Sequence, residues 1–214
     1  FMVLTSSILM PAYYNITARE MLESEKRLTS RIGRLPDTYS FSKKGYRNDV
    51  IDTSQVIFGS AEYVKDGLIP LTEWLGPSQW SDRLVSILDD IWKYAPLQTP
   101  YGNICSDNPE VNGDMLQALS RIFWTTGNSK YLEWAERLGD YYLLGNNHPT
   151  TDFKVLRLRD HGCEIVSGLC ELYATVAFAD PSKKEEYREP VYRMLDRILE
   201  VGSTHVHSFH TCSL

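Results

Sequence analysis

The sequence predicts an all-α chain of tandem helical hairpins, and three observations carry that expectation. Apolar positions recur at a fixed separation. Setting Leu119 against Leu169 gives an offset of 50 that also matches Met115 with Ile165, Leu116 with Val166, Ile122 with Leu172 and Phe123 with Tyr173. The same offset sets Asp114 opposite Glu164, while an earlier segment fits at 51, pairing Trp80 with Tyr131, Leu71 with Ile122 and Leu68 with Leu119. Short turn sequences fall inside each hairpin and longer loops fall between them, as α/α repeats require. Strand-type alternation is nearly absent. A two-helix repeat of this length means a solenoid or a closed α/α ring, and a ring gathers the starts of its inner helices around one pocket.

Taken in order, residues 18–32 read as a helix with Met21, Leu22, Leu28 and Ile32 on one side. Residues 33–54 carry Gly, Pro, Ser and Asn with little periodicity and read as a loop. The first hairpin spans 55–75, turns at Gly76-Pro77-Ser78 and returns over 80–94, where Trp80, Leu84, Ile87 and Ile91 form a helical stripe. A Pro/Gly/Asn-rich connection over 96–111 leads to the second hairpin. Its first helix, 113–124, stacks Met115, Leu116, Leu119, Ile122 and Phe123. Gly127-Asn128-Ser129 turns the chain, and Tyr131, Ala135, Leu138 and Tyr142 align on the return. After a loop at 145–151, the third hairpin pairs the stripe Ile165, Leu169, Leu172, Val176 with Tyr187, Val191, Met194, Ile198, around a turn at 179–182. The helical pattern stops after Val201. Residues 202–214 hold three of the five histidines and read as a loop or an unstructured tail; His205-Val206-His207 lacks the neighbouring carboxylates of a metal site.

Composition narrows the partners. With 214 residues, 43% hydrophobic, the chain can bury a core. A net charge of -6 and no Lys/Arg cluster argue against nucleic acid and acidic membrane surfaces. No run reaches the ~18 consecutive apolar residues of a membrane span. The apolar stretch 2–11 lacks a basic leader and a clear cleavage site, so no signal peptide is assigned. The sequon Asn15-Ile16-Thr17 has meaning only for a secreted protein, so cytoplasmic and secreted locations both fit. Aromatic residues make up 12% of the chain; they fill helix interfaces and can also stack on sugar rings. Cys163 and Cys170, seven residues apart on one helix, would stand roughly 10 Å apart, beyond the about 7 Å a disulfide spans. No Cys-x-x-Cys pair is present, so neither structural zinc nor any cofactor is expected.

Two constellations could carry chemistry. Glu110-Val111-Asn112-Gly113-Asp114 and Arg157-Leu158-Arg159-Asp160-His161-Gly162-Cys163-Glu164 each precede an apolar helix and mix acids with a glycine. Equivalent hairpin starts would turn Asp114 and Glu164 toward one pocket. Acids at helix starts also cap free N–H groups, worth about 0.5–2 kcal/mol, and Glu164 could serve as capping-box partner to Asp160. Capping leaves His161 and both arginines without a role.

The acid-headed helix of 112–124, its Gly-Asn-Ser turn and the return Tyr131-Leu132-Glu133-Trp134-Ala135-Glu136-Arg137-Leu138 resemble a hairpin of the six-hairpin glycosidases. The run Asp160-His161-Gly162-Cys163-Glu164-Ile165 resembles a loop start of the same superfamily, and the likeness covers residues 55–200. It implies an (α/α) toroid of twelve helices acting on carbohydrate, with Asp or Glu as general acid and base. A ring of six hairpins at this repeat length needs roughly 300 residues or more, so the chain is expected to be part of one toroid domain.

Three functions follow. A glycoside hydrolase would use Asp114, Asp160 and Glu164 as candidate catalytic carboxylates, one protonating the leaving oxygen and another activating water or attacking. His161, Arg159 and Asn112 would bind the sugar, with Tyr141, Trp124 or Trp134 available for stacking. A sugar epimerase on the same scaffold would transfer protons through His161. A non-catalytic α-solenoid would instead bind a protein partner across its concave face.

Overall fold

The computed structural model describes residues 1–29 and 31–203; the expected tail, with its histidines and Cys212, otherwise lies outside them. The protein is all-α, and the chain divides into two compact units, Phe1–Ala95 and Pro96–Leu214.

In the first unit, α1 (Met2–Leu9) and α2 (Pro11–Leu28) precede a small antiparallel ribbon of β1 (Tyr39–Ser40) and β2 (Gly45–Tyr46). The N-terminal helix expected at 18–32 therefore opens at Pro11, whose ring presets φ for the first helical position and carries no N–H to satisfy. Then α3 (Thr53–Glu62) continues through a π-helical stretch, Tyr63–Leu68, into α4 (Ile69–Leu75). Pro70 supplies the reason. It cannot donate to the helix ladder and its ring displaces the carbonyl one turn back, and the widened turn, in which the Ile69 N–H reaches the Val64 carbonyl, absorbs it. The helix ends at Gly76, in the left-handed region at φ 70°. The return helix α5 (Gln79–Lys93) is opened by a reciprocal cap between Ser78 and Ser81. Its stripe Trp80, Leu84, Ile87, Ile91 is fully buried, and the Trp80 indole N–H donates to the Tyr14 hydroxyl at 3.1 Å.

The second unit opens with a ribbon of β3 (Leu97–Thr99) and β4 (Gly102–Ile104) inside the expected loop. Two hairpins follow, α6 (Pro109–Thr126) with α7 (Ser129–Gly139), and α8 (Glu164–Ala179) with α9 (Pro181–Ser203). Their turns fall at Gly127, a left-handed residue at φ 66°, and at Asp180, as the sequence predicts. The apolar stripes of α7 and α8 are buried, as are Met115, Leu116, Leu119 and Ile122 of α6 and Tyr187, Val191 and Met194 of α9, while Phe123 is half-buried. The stretch 160–179 is long and apolar enough to cross a membrane by length and composition alone. In the fold α8 packs against α6 and α9.

The repeat has a direct structural counterpart. Helices α6 and α8 run side by side, and residues 50 or 51 apart in sequence meet across the seam. Arg121 donates from Nε and Nη2 to the Glu171 carboxylate at 3.0 and 2.7 Å, and the Trp124 indole donates to Thr175 Oγ1 at 3.1 Å. This half-exposed, bidentate pair should contribute about 0.5–1 kcal/mol. A double-mutant cycle on Arg121→Met and Glu171→Gln, followed by urea melts, is expected to return a coupling of that size. A coupling of zero would show that the pair plays no part in holding the register.

Candidate functional site

The α6–α8 seam is where the candidate residues gather. Asn108-Pro109 sets the helix start: Asn108 accepts from the Glu110 N–H at 2.9 Å, and Pro109 occupies the first turn. Helix α6 thus begins five residues before Asp114. The expectation that Asp114 heads this helix is corrected: it sits in the second turn, and capping is done by Asn108. The sequence carried the signal, an Asn-Pro pair two residues before Val111, which outranks a later Gly as a helix opener.

Asp114 is 1% and Glu164 9% exposed, and Glu164 lies where α6 and α8 touch. At Gly113 the α6 backbone rests directly on the backbone of Glu164 and Ile165, with no room for a side chain. Glu164 Oε2 accepts from the Gln117 amide at 2.6 Å. The expected capping-box role of Glu164 is therefore replaced by a bond across the seam. One turn earlier on α6, Glu110 Oε1 stands 3.6 Å from His161 Nδ1. Together, Glu110, Asp114, Gln117 and Arg121 make a polar stripe at spacings of 4, 3 and 4 on a helix otherwise packed with apolar residues. Glu110, Gln117 and Arg121 meet His161, Glu164 and Glu171 in turn. That stripe was readable in the sequence; reading the apolar face passed over Gln117 and left Glu110, though part of the first constellation, without a role.

The other residues expected at the site are dispersed. Asp160 adopts a left-handed φ of 53° and opens a single 3-10 turn, Asp160–Cys163, instead of capping α8. Its side chain is 84% exposed and lies 3.9 Å from Arg159, which is also solvent-facing, as is His161 at 55%. Asn112 is fully buried and its amide is committed to the core. It accepts from Cys105 Sγ at 3.2 Å and donates to the Ser106 carbonyl and the Tyr142 hydroxyl, each at 2.8 Å. Burial pushes the Cys105 thiol up to about 12, which keeps it protonated and unreactive at neutral pH. Burial likewise lifts the Tyr142 phenol, with the Asn112 bond pulling the other way. His148, outside both constellations, is buried with Nε2 2.9 Å from the Pro190 carbonyl, a structural tie from the 145–151 loop to α9.

No family model, curated protein or solved structure matches this chain.

Proposed function

We propose that the chain is the hairpin-repeat part of a carbohydrate-active glycoside hydrolase, an (α/α) toroid whose site lies at the start of α6 and α8. One observation supports this reading: at the start of the α6–α8 seam Glu164 accepts from Gln117 and Glu110 stands 3.6 Å from His161, so two acids, an amide and an imidazole share one end. Glycosidic hydrolysis needs a protonated carboxyl to release the leaving oxygen and a carboxylate to activate water or attack. Asp160 is the solvent-facing acid of this group, Glu110 is held by His161, and Glu164 is fixed by Gln117. Arg159 and His161 stand where a hydroxyl or a uronic carboxylate could be bound.

A specific observation favours a second reading, the non-catalytic α-solenoid. Asp114 and Glu164 are enclosed by helix packing, and the polar stripe of α6 is engaged with α8, which is how buried polar groups set helix register. The epimerase reading rests on His161, since His148 is committed to the α9 backbone.

The test is reducing-end release from a panel of neutral and uronate-containing oligosaccharides. Asp160→Asn should keep the fold, because asparagine tolerates a positive φ as well as aspartate does, and should lose at least ~10²-fold in rate. Glu164→Gln should lower the rate and the stability together. Unchanged rates in both variants would remove these acids from the chemistry. No turnover of any sugar by the wild-type protein would overturn the hydrolase and leave the solenoid.

A further inference from the structure

Away from the α6–α8 seam, the junction of α7 with α9 holds a second cluster of ionisable groups. From α7 it draws Glu133 and Glu136, and from the π-helical stretch that follows it Asp140; from the turn and start of α9 it draws Asp180, Lys183, Glu186 and Tyr187. The available donors are directed at Asp140. Its Oδ1 lies 2.7 Å from the buried Tyr187 hydroxyl and 2.8 Å from Lys183 Nζ. Lys183 turns its remaining reach to Glu186 at 3.0 Å, and Asp180 spends Oδ1 capping α9 through the N–H groups of Ser182 and Lys183. Tyr187 also lies 3.1 Å from the Glu136 backbone carbonyl, while on the Glu136 side chain Oε1 is buried and takes no hydrogen bond.

We infer that Glu136 is a proton-operated latch on the α7–α9 junction, closed when its carboxyl is neutral and loosened when it ionises among Asp140, Asp180 and Glu133. A neutral carboxyl placed there adds no charge to a crowded acidic seam. An ionised one meets Asp180, Asp140 and Glu133 with Lys183 already engaged. Burial, followed by the Asp180 charge, pushes the Glu136 carboxyl up to about 7, with Lys183 opposing. Because this value lies above that of an unfolded glutamate, the folded chain binds the extra proton. The stabilisation is therefore complete below about pH 4.5 and is lost as pH rises through about 7. Glu136 is only half enclosed, so solvent screening discounts the full shift, leaving about a tenfold change in the folded-to-unfolded ratio. That corresponds to a few °C in Tm for a chain of this size.

The experiment compares thermal melts of the wild-type chain and Glu136→Gln from pH 5 to 8.5. The wild-type Tm should fall by roughly 2–5 °C more than that of the glutamine variant, which stays neutral throughout. Lys183→Met should move the wild-type transition to higher pH, because the nearest cation holding Glu136 down is gone. Hydrogen exchange at the first turns of α9, corrected for intrinsic rates, should quicken with pH in the wild type alone. Parallel Tm curves for wild type and Glu136→Gln would overturn the latch. If the variant does not fold, carbon NMR of the wild-type glutamate carboxyls decides. A Glu136 midpoint near 7 supports the latch, and one near 4.5 overturns it.

Discussion

Gly113→Ala is expected to lower stability by about 3 kcal/mol or more, because a single methyl group has nowhere to go at the α6–α8 crossing. Its Cβ would land on the backbone of Glu164 and Ile165, and backbone cannot rotate away as a side chain can. The reciprocal position is as tight: a Cβ on Gly168 would stand 2.6 Å from the Gly113 carbonyl oxygen and 2.7 Å from Leu116 Cβ. Overpacking of this kind typically costs about 1–3 kcal/mol and more where the backbone must move. Here the displacement would also stretch the Gln117–Glu164 bond and the Arg121–Glu171 pair. Gly59, within α3, is the internal comparison. Nothing lies within 4 Å of a Cβ placed there, so Gly59→Ala should be neutral or stabilise by about 0.5–1 kcal/mol through helix propensity. Urea melts of Gly113→Ala, Gly168→Ala and Gly59→Ala test the crossing, and a Gly113→Ala midpoint equal to wild type would mean that the helices are not in backbone contact.

The second large effect is expected in the first unit. Arg83 Nε of α5 lies 2.9 Å from both carboxylate oxygens of Glu25 on α2, and the two side chains are only 13% and 9% exposed. Burial, and then the charge of Glu25, lifts the Tyr63 phenol far above its usual range, which marks the Glu25 carboxylate as charged beside a buried hydroxyl. Removing one member strands the other charge in the interior. Glu25→Ala or Arg83→Met should each cost about 3–5 kcal/mol. Replacing both, as Glu25→Leu with Arg83→Met, should recover most of that loss, because the pair's mutual attraction largely offsets the cost of taking two ions out of water. The double variant's melt decides. If it is as unstable as the sum of the singles, packing and not the stranded charge dominates this site.

Hairpins, their turns and their apolar faces were determined by local sequence. Gly76 and Gly127 end helices because a left-handed residue closes the last turn, and the stripe Trp80, Leu84, Ile87, Ile91 buries one face because its period is that of a helix. The offset of 50 went further, since it anticipates the lateral pairing of Arg121 with Glu171. These features are legible because each depends on residues within a few positions, or on a pattern repeated along the chain.

What the tertiary structure decided is the use of the polar residues. Asp114 and Asp160 look alike in sequence, each an acid within two residues of a glycine near the start of an apolar run. One is buried and the other stands in solvent. Pro109 starts α6 early, so Asp114 falls inside that helix, whereas Asp160 sits ahead of α8 in a left-handed turn. Asn112 is held by Cys105, Ser106 and Tyr142, a set brought together by the segment just after β4 and the π-helical stretch that follows α7. Glu136 gains its altered proton affinity first from burial and then from the charge of Asp180 at the turn before α9, with Lys183 opposing. A carboxylate's chemistry depends on what surrounds it in three dimensions, on desolvation and on charges a few ångströms away. Those neighbours are supplied by segments about forty or fifty residues distant, which a local pattern does not encode.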